Sequence, residues 1–213
     1  MICPSSMRPH ADRVLKGEYA LPAGYEISGV TRVLDIGANV GAFALWARTK
    51  WPEAFIYCYE PLPSNYKILR ENTAHDYRIS AVEAAVTAST AEIVTMYEGK
   101  NNCGEASLFD LGEQDTSKAV KVQCVPAHEL PVCDVLKLDT EGNELSILRG
   151  YFEGEGSAFS EERSALVPAV IMLEWHRTKD RWAIGELLSR LSYECVRDDI
   201  HRVDRGLMVW VYT

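Results

Sequence analysis

Residues 33–41 read VLDIGANVG, and this stretch decides how the chain is expected to fold. An apolar strand carries Asp35, Gly37 and Gly41 bracket a turn, and residues 42–51 predict a helix. Glycine suits such a turn because a side chain would keep a ligand from approaching the backbone closely. The pattern therefore indicates a strand–loop–helix unit with a ligand site at the carboxyl end of the strand.

A second acid, Glu60, ends the next predicted strand, in the segment YCYEP at residues 57–61. A carboxylate at that position can accept hydrogen bonds from a ribose diol. A dinucleotide loop of the form G-x-G-x-x-G holds a pyrophosphate, but Asn39 stands where the middle glycine would fall. The loop therefore favours S-adenosylmethionine, which has a ribose and no phosphate, over a nicotinamide dinucleotide.

Residues 134–150 read DVLKLDTEGNELSILRG, a strand followed by a leucine-bearing helix. This segment resembles the signature of the FkbM methyltransferases, D-x-x-K-x-D-x-E-G-x-E. With VLDIGANVG, Glu60 and the segment LEWH at residues 173–176, the resemblance extends from residue 30 to residue 177. It implies a class I Rossmann-like fold, S-adenosylmethionine as cofactor, and O-methylation, often of hydroxyls on sugars or natural products. It also implies that the loop 101–107, which includes Ser107, covers the cofactor or the acceptor, whereas the loop alone is equally consistent with a simple turn.

Strands and helices alternate along the chain, as a parallel sheet requires. We predict core strands at residues 32–36, 54–60, 79–86, 135–139 and 169–176, and a closing reversed pair at 193–197 and 207–212. Residues 91–98 and 119–125 predict a small antiparallel insertion beside a polar loop at 99–118, and residues 150–166 predict a surface loop. The expected fold is α/β, with a Rossmann-like, seven-stranded, mostly parallel sheet, helices on both faces and this insertion. We expect an N-terminal extension at 1–29 and a single methyltransferase domain at 30–213.

Composition restricts the partners that we expect. The formal net charge of −9, without a basic cluster or an N/D-P-P-Y segment, argues against a nucleic-acid substrate. No apolar run is long enough for a membrane span, the N-terminus lacks the apolar core of a signal peptide, and the six scattered cysteines form no CxxC pair. We therefore expect a cytoplasmic enzyme acting on a small hydroxyl-bearing molecule. Residues 1–29 could cover the site or pair two chains into a homodimer.

Ionisable residues gather at the predicted carboxyl ends of the strands, which is where ligands bind in doubly wound sheets. Methyl transfer to a hydroxyl needs a base or a metal to remove the proton. His176 suits the base because its ordinary pKa lies near neutrality, and Asp139 and Glu141 complete the predicted catalytic set. Asp139, Glu141 and Glu174 together predict a site for a hard ion such as Mg²⁺. The predicted cofactor-binding residues are Asp35, Gly37, Asn39, Gly41, Glu60, Glu83, Ser107 and Asp139.

Simpler interpretations accompany these assignments. Gly37 and Gly41 could serve tight helix–strand packing, and Asp139 and Glu141 could cap the following helix. His176 could simply pack beside Trp175 and form a hydrogen bond with a backbone carbonyl group. The backbone of residues 84–85 could contact adenine in place of Glu83. Two other functions also stay open, an NAD(P)-dependent oxidoreductase and a non-catalytic cofactor-binding scaffold of the same fold.

Overall fold

A computed structural model describes residues 1–99, 107–108, 114–154 and 167–213. Its main sheet has seven strands: β1 (Arg32–Ile36), β2 (Phe55–Tyr59), β3 (Ile79–Val82), β7 (Val135–Leu138), β8 (Val170–Trp175), β9 (Tyr193–Arg202) and β10 (Arg205–Tyr212). Their order across the sheet is β3-β2-β1-β7-β8-β10-β9. Pairing is parallel from β3 to β8, and β10 is antiparallel to both of its neighbours. The predicted α/β fold and its mostly parallel sheet are confirmed.

Helices cover both faces of this sheet: α1 (Arg8–Leu15), α2 (Ala42–Lys50), α3 (Pro63–Thr73), α4 (Glu144–Glu153) and α5 (Thr178–Arg190). Successive side chains of a strand point to opposite faces of the sheet. Because helices cover both faces, the central strands carry apolar side chains on both sides. Leu34 and Leu136 enter the core beneath α4 and α5, whereas Val33 and Val135 enter the core beneath α1 and α2. In α5, apolar residues at helical spacing form one buried stripe, which includes Ile184, Leu187 and Leu188.

The predicted third strand, residues 79–86, is divided between two sheets. Its first half is β3, and its second half is β4 (Ala85–Thr87), which pairs with β6 (Gln114–Pro126) in a separate sheet of order β4-β6-β5. The predicted antiparallel insertion is confirmed as β5 (Ile93–Gly99) against β6, and β4 adds a parallel strand. Because β6 already begins at residue 114, the polar loop is shorter than predicted.

The predicted surface loop at 150–166 begins later than expected. Residues 150–153 continue α4, which ends at Glu153, and residues 155–166 lie outside the described residues. Gly150 permits this continuation because it packs closely against Ala127 and Ala88, where a larger side chain would crowd the neighbouring turn. The helix therefore contributes Tyr151 and Phe152 to the core.

The first 29 residues are packed onto the main domain. Ala11, Val14 and Tyr19 are buried in the core that α2 shares with the central strands. A separate extension at 1–29 stays a prediction, but its residues and those of α2 form one continuous core. Among the described residues, no helix has both the length and the apolar character needed to cross a membrane.

Candidate cofactor and acceptor site

A cavity of about 490 Å³ opens at the carboxyl ends of β1, β2, β7 and β8. This volume falls in the range of sites for small molecules and cofactors. One side is formed by the loop after β1, the end of β2 and the apolar turn into β4. The opposite side is formed by the ends of β7 and β8, by α1 and by the β9–β10 hairpin.

The loop after β1 is fixed to the end of β2. The backbone N–H groups of Gly37 and Ala38 both donate to the carbonyl oxygen of Tyr59, at 3.0 Å. Gly37 has φ +78°, and a Cβ at this position would lie 1.8 Å from the carbonyl oxygen of Asp139. Glycine is therefore required here by the close approach of β1 and β7, and Gly37 also lines the cavity.

Gly41 has a different role from Gly37. It immediately precedes α2 as the N-cap residue with φ +90°, and a Cβ there would lie 2.9 Å from a methyl group of Leu69. Gly41 is not among the residues that line the main cavity, whereas Asn39 is. The packing interpretation therefore fits Gly41, and its prediction as a cofactor contact is not supported by its position.

Glu60 is buried in the cavity wall and held by the surrounding backbone. Its carboxylate accepts the N–H of Asn39 at 2.8 Å and the N–H of Leu62 at 3.0 Å, and the side chain of Asn65 at 3.4 Å. Burial raises the pKa of Glu60 to about 7, although these hydrogen bonds act in the opposite direction. The side chain is thus oriented before any ligand binds.

Asp35 lies beneath the cavity and does not line it. It is fully buried and pairs with Lys137 on the adjacent strand, with 3.1 Å between its Oδ1 and the lysine Nζ. Lys137 also donates to the carbonyl oxygen of Gly37 at 2.7 Å. The contact of Asp35 with the cofactor stays a prediction, and its buried position does not favour it; the ion pair with Lys137 instead places Asp35 where it supports the glycine loop.

Asp139 connects both sides of the cavity. Its Oδ2 accepts a hydrogen bond from the hydroxyl of Tyr19 at 3.2 Å and lies 3.9 Å from Lys137 Nζ. Burial alone would raise the pKa of Asp139, but the charges of Lys137 and His176 outweigh burial and lower it. Asp139 is therefore held as a carboxylate at the junction of the two halves of the cavity.

His176 lies behind the acids that line the cavity. Its Nε2 is 3.3 Å from Glu141 Oε2, 3.8 Å from Asp139 Oδ1 and 3.9 Å from Glu174 Oε1. Burial opposes a charge on the ring, but Glu141 and Glu144 outweigh burial and hold the pKa of His176 well above its ordinary value. Burial raises the pKa of Glu141 to about 8. The role of His176 as the catalytic base stays a prediction. The position of its ring does not favour this role, because His176 is not among the residues that line the cavity.

Glu144, rather than Asp139 or Glu141, fixes the turn into α4. Its carboxylate accepts the N–H groups of Thr140 at 2.9 Å and Gly142 at 3.1 Å, and it lies 3.0 Å from His176 Nδ1. Asp139 and Glu141 instead line the cavity, as does Glu174. The second E of the E-G-x-E segment was the available signal for Glu144, but its position inside a predicted helix concealed this role.

Ser107 and Glu83 have different positions relative to the cavity. Ser107 is buried, pairs with Tyr97 through the backbone, and donates its hydroxyl to the carbonyl oxygen of Glu141 at 2.5 Å. It therefore supports the turn that carries Glu141, and residues 101–106 of the predicted lid lie outside the described residues. Glu83 is exposed, and its neighbours Ala84 and Ala85 line the cavity in its place.

Basic side chains that the sequence did not single out line the outer half of the cavity. They come from α1 and from the β9–β10 hairpin: His10, Arg13, His201, Arg202 and Arg205. In the sequence, these residues are far from the motifs that end β1, β2 and β7, and they belong to no recognisable motif of their own. The expectation that residues 1–29 could cover the site agrees with the position of α1.

A seven-stranded sheet with one reversed strand and a cavity at its strand ends defines the class I methyltransferase fold. The crystal structure of methyltransferase FkbM from Methylobacillus flagellatus KT aligns with a TM-score of 0.63 at 16% identity, over 93% of this chain and 48% of that one. Fibrillarin of Aeropyrum pernix, solved with natively bound S-adenosyl-L-methionine, aligns with a TM-score of 0.53 at 13% identity, over 96% of this chain and 74% of that one.

The sequence profile of the methyltransferase FkbM domain matches residues 35–204, and the chain belongs to this family. Methyltransferase sdnD of Sordaria araneosa is 28% identical over 201 residues, covering 78% of this chain and 74% of the relative. Hexuronic acid methyltransferase AglP of Haloferax volcanii is 26% identical over 117 residues, covering 54% of this chain and 48% of the relative. Family membership confirms the resemblance inferred from the three motifs, and a methyltransferase family does not fit the oxidoreductase alternative.

Proposed function

We propose that this protein transfers a methyl group from S-adenosylmethionine to a hydroxyl of a small acceptor. The observation that carries the proposal is Glu60, a buried carboxylate in the cavity wall whose orientation is fixed by the amides of Asn39 and Leu62. Such a carboxylate can accept hydrogen bonds from the two adjacent hydroxyls of a ribose. Leu62, Ala85 and Met96 form an apolar surface beside it on which adenine can pack.

The loop side of the cavity suits a cofactor without phosphates. Lys137 lies beside the glycine loop and directs its ammonium group to Asp35 and to the carbonyl oxygen of Gly37. It is not among the residues that line the main cavity. The charge of Lys137 is thus engaged by groups of the protein itself, whereas the ammonium group of S-adenosylmethionine could pair with the carboxylate of Asp139, which lines the cavity.

The reaction is a displacement at the methyl carbon. The acceptor oxygen forms a bond to the methyl group as the bond from carbon to sulfur breaks, and S-adenosylhomocysteine and the proton of the hydroxyl are released. Asp139, Glu141 and Glu174 line the cavity where this proton would leave, and His176 lies directly behind them. We propose that one of these carboxylates accepts the proton of the acceptor hydroxyl. His176 would not contact the acceptor itself but would hold the three carboxylates in place.

The basic outer half of the cavity indicates an acceptor that carries a negative charge. Arg202 and Arg205 line the cavity in a chain whose formal net charge is −9, and Arg13 also lines it but pairs with Glu18 at 2.9 Å. Guanidinium groups bind carboxylates through paired hydrogen bonds. We therefore propose a sugar acid or an acidic natural product as acceptor, and the name of the Haloferax volcanii relative, a hexuronic acid methyltransferase, supports this class.

A matched panel of acceptors tests this function. The release of S-adenosylhomocysteine is measured with hexuronic acid glycosides and with the corresponding neutral hexosides. We expect turnover with acidic acceptors and a KM at least tenfold higher with the neutral ones. Arg202→Gln should remove most of this preference, whereas Arg70→Gln, on the exposed surface of α3, should retain it. Equal turnover of both acceptor types by the parent protein would contradict the acidic class, and no release with either type would contradict the proposed function.

A further inference from the structure

Three side chains at the ends of β7 and β8 have the arrangement of metal ligands. One ligand atom from each of Asp139, Glu141 and His176 lies within 4.8 Å of the other two. Around an ion bound at roughly 2.0–2.2 Å, ligand atoms are separated by about 3 Å when adjacent and about 4.2 Å when opposite. The observed separations of 3.3 and 3.8 Å from His176 Nε2 to the two carboxylates fall within these values.

The imidazole of His176 supplies an independent indication of a ligand. The residue is 5% exposed, and its Nε2, which faces the carboxylates, makes no hydrogen bond with any described residue. Its other nitrogen, Nδ1, lies 3.0 Å from Glu144 Oε1. A histidine that ligates a metal through one nitrogen commonly donates its other N–H to a carboxylate, which orients the ring. Glu144 is itself fixed by the amides of Thr140 and Gly142, so the ring has a rigid support.

Four carboxylates surround His176, and the cations near them are Lys137, His201, which lies 3.8 Å from Glu174, and Arg205, whose charge acts on Glu141. Asp139, Glu141, Glu144 and Glu174 all approach His176 within 4 Å. The ammonium group of Lys137 is closer to Asp35, at 3.1 Å, than to Asp139, at 3.9 Å. A buried excess of carboxylates is costly unless a cation compensates for it. A metal ion between the three ligand atoms would supply such a cation, in addition to the basic side chains at the edge of the cluster.

We infer that Asp139, Glu141 and His176 bind one divalent transition-metal ion, with Glu174 as the nearest further ligand. An imidazole in the ligand set favours ions such as Mn²⁺, Fe²⁺, Co²⁺ or Zn²⁺ over Mg²⁺, which prefers oxygen ligands and retains its water. The inference thus replaces both the ion and the third ligand that the sequence predicted. Because Asp139 and Glu141 line the cavity, such an ion would face the acceptor and could lower the pKa of its hydroxyl.

Metal binding can be tested without any methyl transfer, so its outcome is independent of the proposed function. The full chain is stripped with a chelator, dialysed and titrated with Mn²⁺ alone, and the loss of the free Mn²⁺ signal is followed by electron paramagnetic resonance. We expect one Mn²⁺ per chain, bound at least tenfold more tightly than Mg²⁺ in competition. Absence of binding up to millimolar Mn²⁺ would overturn the inference.

Conservative variants identify the ligands. Glu141→Gln should weaken Mn²⁺ binding at least tenfold, whereas Glu71→Gln, the same change on the exposed surface of α3, should leave it unchanged. Glu144→Gln, which removes the support of the ring, should weaken binding by about 10- to 100-fold. Circular dichroism verifies that each variant is folded.

A spectroscopic signature tests the part played by His176. Electron spin echo modulation of bound Mn²⁺ should show coupling to a directly ligated imidazole nitrogen, and His176→Gln should abolish this coupling. Bound Mn²⁺ without nitrogen coupling in the parent protein, or equal affinity of Glu141→Gln and Glu71→Gln, would contradict the assigned ligands. Either result would leave His176 as a counter-ion of the carboxylates.

Discussion

Glu60 shows how a single residue can link burial to ligand binding. Its carboxylate lies in an apolar wall and accepts two backbone N–H groups, and burial raises its pKa to about 7. In the free protein this residue retains its proton to a higher pH than in the unfolded chain. Its contribution to stability is therefore fully present below about pH 4.5, and it is lost as pH rises towards 7.

The same titration predicts how cofactor binding depends on pH. Ribose hydroxyls donate to the ionised carboxylate, so binding must favour the deprotonated form of Glu60. The affinity for S-adenosylhomocysteine should rise from pH 6 to pH 8, with its midpoint near the pKa of about 7. Calorimetry across this range measures the effect. Glu60→Gln should remove the dependence, and an identical pH profile in this variant would assign the titration to another group.

His176 is the residue whose predicted role the geometry changes most. The sequence assigns it to proton abstraction, but its ring is buried behind Asp139, Glu141 and Glu174. We expect His176→Gln to fold, to bind S-adenosylhomocysteine as the parent does, and to turn over about 10²–10⁴-fold more slowly. Stopped assays with saturating acceptor measure this rate. An undiminished rate in the folded variant would show that neither a base nor a metal ligand at this position is needed.

At the scale of elements, the junction between β1 and β7 depends on one glycine. A Cβ on Gly37 would lie 1.8 Å from the carbonyl oxygen of Asp139, and its φ of +78° is also unfavourable for other residues. Gly24 has φ +94°, but a Cβ added there would meet no atom within 4 Å, so this position isolates the backbone effect. We expect Gly37→Ala to lose at least ~2 kcal/mol more of the free energy of unfolding than Gly24→Ala. Urea unfolding provides the comparison, and equal losses would show that the strand ends separate easily.

Elements with a strong periodic pattern were predictable from the sequence. Strands β1 and β7 are mostly apolar, with a single buried charged residue each, Asp35 and Lys137, among their inner positions. Helix α5 has apolar residues at helical spacing, so packing and periodicity indicate the same structure. Residues 79–86 gave no signal for their division, because β3 and β4 are both short and apolar. The change of sheet depends on pairing with β6, which is distant in sequence. Long-range pairing of this kind leaves no local pattern.

The site was predictable where a motif met the cavity and unpredictable where it did not. Gly37, Asn39, Glu60, Asp139, Glu141 and Glu174 all line the cavity. Asp35 and Gly41 belong to the motif at residues 33–41 but do not line the cavity. Asp35 is buried because successive side chains of a strand point to opposite faces of the sheet, and Gly41 packs against Leu69 of α3. Lys137 and Glu144 were visible in the motif at residues 134–150, yet their supporting contacts depend on neighbouring strands that the sequence does not specify.

At the scale of the whole molecule, the cavity is closed by elements from both ends of the chain. Residues of α1 and of the β9–β10 hairpin form its outer half, and Tyr19 connects the N-terminal segment to Asp139. Arg197 on β9 also donates to the carbonyl oxygen of Glu18 at 2.6 Å. A ligand bound in the cavity should therefore stabilise the N-terminal segment and the β9–β10 hairpin together.

Hydrogen exchange tests this coupling. We expect bound S-adenosylhomocysteine to slow amide exchange in residues 5–19 and 199–206 as well as in the loop 37–41, because binding restricts local opening. The exposed middle of α3 serves as the internal control and should exchange at the same rate with and without ligand. Protection confined to the loop 37–41 would show that the outer elements act independently of the cofactor site.

The central claim is that the cavity binds S-adenosylmethionine through Glu60, and calorimetric titration of the full chain tests it most directly. We predict binding of S-adenosylmethionine and S-adenosylhomocysteine in the micromolar range, about −8 kcal/mol, with NAD⁺ giving no heat. Glu60→Gln should weaken binding by about 1.5–3 kcal/mol, as expected for the loss of hydrogen bonds to a charged group. Binding of NAD⁺ in place of S-adenosylmethionine, or equal affinity of the parent and Glu60→Gln, would contradict the account.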